Sequence, residues 1–168
     1  MKQLVVSVIG KDRPGIVDQL STLVVKHHGN WLASRLTELA GQFTGILHIE
    51  VDDAHLSALC DDLNNQHGLL VNIAEGDHND HAEQTQISIN VTANDRVGIV
   101  QEVTQALNQL GVSLSKITTS VSSAPNWGGL IFTAQLQVPC ADEQQRIAIQ
   151  QSLESLADDL MVDFSDEQ

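Results

Sequence analysis

Asp12-Arg13-Pro14-Gly15-Ile16-Val17 returns 83 positions later as Asp95-Arg96-Val97-Gly98-Ile99-Val100. In each copy an acidic and a basic side chain precede a glycine, at the point where a strand-like run gives way to a helix-like one. The first N–H groups of a helix have no partner within it and lie at the positive end of its dipole, so such a corner can hold a carboxylate or phosphate. Gly15 lets ligand atoms approach the backbone, and Pro14 suits the first helical turn, where an N–H is not needed. Asp12 is placed to cap the helix or to receive an ammonium group. A zwitterionic amino acid would set its carboxylate on the N–H groups after Gly15 and offer its amine to Asp12. Asn30, at the start of the next strand, is a further polar partner. The alternative open at this point is that Asp-x-x-Gly only starts a helix.

Other residues invite chemistry less. His78-x-x-His81 with Asp77 and Asp80 would need a helical turn in a linker to hold a divalent ion, so no metal is expected. His27 and His28 close a helix, where a cationic ring suits the C-terminal dipole. Trp31 and Trp127 could stack on a ligand or partner, or Trp127, in a Pro-Asn-Trp-Gly-Gly loop, could fold back over a sheet. The acidic ending Asp158, Asp159, Asp163, Asp166 and Glu167 reads as a solvated tail. There is no nucleophile elbow, Walker-type loop or close carboxylate pair, so neither a catalytic residue nor a cofactor is expected.

Composition narrows the partners. A formal charge of −14, with eight Lys plus Arg among 168 residues, excludes a direct grip on nucleic acid. An acidic protein can still regulate transcription by binding a protein that holds the DNA. Cys60 and Cys140 lack metal-ligand spacing and read as reduced, buried thiols. The run Leu4 to Ile9 is too short for a signal peptide's core and no stretch reaches membrane-spanning length, so a cytoplasmic location is expected.

The elements that position the corner follow from periodicity. Leu4 to Ile9 is a nearly continuous apolar run, read as a strand buried on both faces or centrally placed. Ile16, Leu20, Leu23, Val24 and His27 recur at helical spacing, with Gly29 as the stop. Trp31 to Leu39 and Phe43 to Val51 make a hairpin turning at Gly41. Leu56, Leu59, Cys60 and Leu63 give a second helix ending near Gly68, and Leu69 to Ala74 a last strand. The second half repeats this order: a strand about Ile87 to Val91, a helix from Ile99 stopping at Gly111, strands Leu114 to Val121 and Leu130 to Val138, a helical stripe Ile149, Leu153, Leu156 and Leu160, and a strand Met161 to Phe164.

Both halves therefore read βαββαβ. Two right-handed crossovers place both helices on one face of a four-stranded antiparallel sheet, the ferredoxin-like arrangement of an α+β protein. The expected domains are residues 1–77 and 84–168, with a solvated connector between.

The repeated turn, the Gly29-Asn30 helix exit and the short linker resemble the ACT-domain family over almost the whole chain, in particular its tandem regulators of the glycine cleavage repressor type. ACT domains are sensing modules that typically bind amino acids where two domains pack side by side. The resemblance implies Asp12, Arg13, Pro14, Gly15, Ile16 and Asn30 as ligand-binding residues in the first unit. The second departs from the pattern: Val97 replaces the proline, Val112 stands where Asn30 stood, and a loop is inserted at Ser122 to Gly128. Asp95, Arg96, Gly98 and Ile99 are kept as its weaker counterparts. The resemblance further implies glycine as ligand and repression of the glycine cleavage operon through a LysR-type DNA-binding activator, since the chain has no helix-turn-helix or basic face. A ligand at the boundary between the units would act by favouring one packing over another. Open sheet edges add a homodimer.

Two rivals stay in view. Ferredoxin-like folds support small acyl phosphate hydrolases that hold a phosphate with an arginine in this same turn, a role open to Arg13 or Arg96. An RNA-binding sheet is disfavoured, because the strand faces carry Gln, Ser, Thr and Asn where stacking aromatics are needed. A ligand as small as glycine, at about −1.5 kcal/mol for each of about five heavy atoms, binds no more tightly than about micromolar.

Overall fold

The structure is a computed structural model that describes residues 1–76, 85–124 and 128–165. The linker with its His78/His81 pair, Trp127, and the terminal Asp166 and Glu167 lie outside the described residues. Two units form, Met1–Asn79 and Asp80–Gln168. The first runs β1 (Lys2–Lys11), α1 (Ile16–Lys26), β2 (Asn30–Leu39), β3 (Gln42–Val51), α2 (Asp53–Asn64) and β4 (Leu69–Glu75). The second runs β5 (Gln86–Asn94), α3 (Ile99–Gln109), β6 (Lys116–Ser123), β7 (Leu130–Pro139), α4 (Glu143–Glu154) and β8 (Met161–Ser165). Their sheets have the orders β2-β3-β1-β4 and β6-β7-β5-β8, antiparallel throughout. Each unit is thus a βαββαβ ferredoxin-like fold.

Each unit has its own core. Leu4, Val6 and Val8 of β1 and Leu47 and Ile49 of β3 bury against Ile16, Leu20 and Val24 of α1 and Leu59 and Leu63 of α2. Ile89 and Val91 of β5 meet Val103 and Leu107 of α3 and Ile149 and Leu153 of α4 in the same way. β1 is central, as read, but it is not buried on both faces: Leu4, Val6 and Val8 are buried, whereas Ile9 is exposed. The helices cover one face only, so period-2 burial holds even where both faces are apolar. Trp31 is half-buried against the first core, Cys140 is buried, and Cys60 is only half-buried.

Several boundaries differ from the sequence reading for local reasons. α1 stops through His28, whose φ of 55° is left-handed, while Gly29 N–H donates to Val24 O and His28 N–H to Val25 O. This is a Schellman exit with the glycine one place beyond the left-handed residue. In α3 the left-handed residue is Gly111, followed by Val112. The residue matching Asn30 is therefore Ser113, not Val112. α4 ends at Glu154, so Leu156 and Leu160 continue the apolar spacing in the loop before β8 and still pack on the core. α2 ends at Asn64, before the turn at Gly68.

Candidate functional site

The repeated turn occupies the same corner of both units, where β1 meets α1 and β5 meets α3. Gly15 and Gly98 are the N-cap residues, with φ, ψ of 88°, 4° and 92°, −3°. These are the angles of the third residue of a type II turn, which places Pro14 and Val97 at its second. Pro14 therefore precedes the helix and is not in its first turn. An added Cβ at either glycine would meet nothing within 4 Å. It is the left-handed backbone, not crowding, that calls for glycine.

Asp12 does not cap α1. Both N-caps are glycines, which carry no capping side chain, and each aspartate lies three residues earlier, on the far side of the turn. The backbone N–H of Asp12 instead donates to Gly41 O at 3.0 Å, tying the corner to the β2–β3 hairpin. Gln19 N–H donates to Gly15 O, closing the first helical bond. The N–H groups of Ile16, Val17 and Asp18 precede it and have no acceptor within the helix. Ile16 and Ile99 turn their side chains into the cores and offer the corner only their backbone.

The arginines differ. Arg13 Nη2 donates to Gln19 Oε1 at 2.6 Å, and Gln19 passes the chain on to Gln66, whose amide donates to Asp62 O. Arg96 instead grips a carboxylate with both prongs, Nη1 to Glu102 Oε1 at 2.7 Å and Nη2 to Glu102 Oε2 at 2.5 Å. The pairing holds Glu102 below the usual carboxylate range and raises Arg96. Asp159 accepts from the backbone and side chain of Asn94, at 3.1 and 2.9 Å, which lowers its pKa. It is a fixed part of the second corner, not a solvated tail.

Asp12, Arg13, Pro14, Gly15 and Ile16 thus share one corner, as do Asp95, Arg96, Gly98 and Ile99 in the second unit. Asn30 does not join them within its unit. It lies past the far end of α1, whose 11 residues span about 16 Å, and pairs with Glu50, whereas the corner end of β1 pairs Lys11 with Gln42. His27, at the same end as Asn30, places Nε2 2.8 Å from Asp62 Oδ2, so its ring meets a carboxylate. Gln19 and Glu102 did not stand out in the sequence, and Asp159 did so only as part of the acidic ending. An arginine followed six positions later by Gln or Glu in both copies marks the first two. Asp159 is 65 positions from Asn94 and carries no such signal.

Among the described residues, no group of three or more His, Cys, Asp or Glu could hold a metal ion, and no helix is long and apolar enough to cross a membrane.

Comparison with known proteins agrees with this architecture. A family model for the ACT domain matches residues 2–74. A protein described as unknown, from Galdieria sulphuraria, superposes with a TM-score of 0.78 at 23% identity, covering 99% of both chains. A protein named as a candidate glycine cleavage system transcriptional repressor superposes with a TM-score of 0.72 at 20% identity, covering 99% of this chain and 98% of that one. No curated protein matches in sequence. The first unit thus matches the ACT-domain family over residues 2–74, and the second repeats the same topology.

Proposed function

We propose that this protein is a non-enzymatic, amino-acid-sensing regulator that takes a small zwitterion at the β1–α1 corner. The observation that carries the reading is the uncapped start of α1, with Asp12 and Arg13 beside it. Backbone N–H groups and a guanidinium suit a carboxylate, and Asp12 suits an ammonium. Glycine is the proposed ligand and repression of glycine cleavage genes the proposed output. The structural likeness to the candidate repressor supports this choice. The charge of −14 favours action through a DNA-binding activator of LysR type over contact with DNA. The open edges of the sheets support a homodimer, which the solution mass tests. A cytoplasmic site of action and domains at 1–77 and 84–168 complete the proposal.

A thermal-shift screen over the amino acids tests it. Ligand at one hundred times its dissociation constant stabilises the protein by about 2.7 kcal/mol, and Asp12→Ala greatly reduces the gain. No shift with any amino acid overturns the sensing role. Operator DNA shifted by the protein without its activator overturns the indirect route.

A further inference from the structure

The two corners share a backbone but not a charge arrangement. In the first turn of α1 the sequence reads Asp18-Gln19, and in α3 it reads Gln101-Glu102. Each helix thus carries one acid in its first turn, Asp18 or Glu102. Moving the acid by one position swings it about 100° around the helix axis. At 102 it meets the arginine of the turn; at 18 it does not. Among the described residues Arg13 has an amide partner and no ion pair, whereas Arg96 holds both oxygens of Glu102.

We propose that Glu102 is a resident counter-ion that keeps carboxylate ligands off the second corner, while Gln19 leaves the first corner open to them. One chain then binds one amino acid, in its first unit. The proposal rests on the amino-acid reading above. A carboxylate arriving at Arg96 finds both prongs engaged, and must displace Glu102 or sit beside a like charge. The carboxylate of Asp159, held by Asn94, adds to the repulsion. At Arg13 the arriving carboxylate exchanges a neutral amide contact for a charge-assisted one, and the displaced Gln19 keeps its bond to Gln66.

The test follows backbone amide signals of the full ¹⁵N-labelled chain during titration with glycine and, separately, with sodium acetate against equal sodium chloride. Both probes are expected to move Ile16, Val17 and Asp18 and to leave Ile99, Val100 and Gln101 in place. Gln19→Glu should weaken the first response by about tenfold, and Glu102→Gln should bring out a second response at 99–101. Equal responses at both corners of the unaltered chain, or no second response in Glu102→Gln, overturn the inference and leave the sensing role standing. Acetate moving the first corner while no amino acid does so overturns the sensing role and keeps the inequivalence. Silence at both corners in every variant overturns both.

Discussion

His27 Nε2 lies 2.8 Å from Asp62 Oδ2, which also accepts from Lys26 Nζ at 2.7 Å, so one carboxylate of α2 ties down the end of α1. Hydrogen bonding, first from Lys26 and then from His27, holds the Asp62 carboxyl below its usual range. A carboxyl lowered by folding contributes stability above its unfolded pKa, near 3.9, and loses it as pH falls through the folded value. Asp62→Asn is therefore expected to lower the urea midpoint at pH 7, and its gap to the unaltered protein should close below the carboxylate range. Urea titrations across that range check this; a gap independent of pH would show that the charge contributes nothing.

Backbone packing at the corner end of β1 gives a steric prediction. A Cβ at Gly10 would lie 2.2 Å from the carbonyl oxygen of Gly68 and 2.7 Å from Leu69 Cδ2. Gly10→Ala must push β1 and the start of β4 apart, costing about 1–3 kcal/mol. Gly129→Ala is the control, since its Cβ would meet nothing within 4 Å. Denaturant midpoints of the two variants should differ accordingly.

Helix starts separate stability from binding. Asp142 Oδ1 caps α4 by accepting from Gln145 N–H at 2.8 Å, and Gln145 Oε1 accepts from Ala141 N–H in return. Asp142→Ala should cost about 1 kcal/mol. Asp12→Ala should change stability by less than about 0.5 kcal/mol, since no cap is lost. Unfolding measured without amino acids compares the two, and a large loss in Asp12→Ala would mean that its role at the corner is structural.

The turn of the second unit can be improved. Val97 is fully exposed and stands where Pro14 stands in the first. Proline suits the second position of a type II turn and restricts the unfolded chain. Val97→Pro is expected to add about 0.4–1 kcal/mol, read as a higher denaturant midpoint.

Element order was legible because period-2 and helical spacing alternate in both halves, and the glycine of the turn was legible because it occurs twice. The face of β1 was not, since Val5 and Ile9 are as apolar as Leu4, Val6 and Val8, and only the one-sided placement of the helices tells them apart. Capping by Asp12 failed because a type II turn inserts a left-handed residue between the aspartate and the helix. The partners of Arg13 and Arg96 lie six residues on, a separation that neither turn nor helix rules single out. Asp159 reaches the second corner only through the closing of the sheet.

The bidentate grip of Arg96 on Glu102 also makes the two copies unequal towards electrolyte. Mobile ions weaken attraction between opposite charges more than a contact with a neutral amide. Concentrated salt should therefore loosen the anchorage at Glu102 and leave that at Gln19 almost unchanged, so a property of the surrounding medium can tell apart two halves that share one backbone.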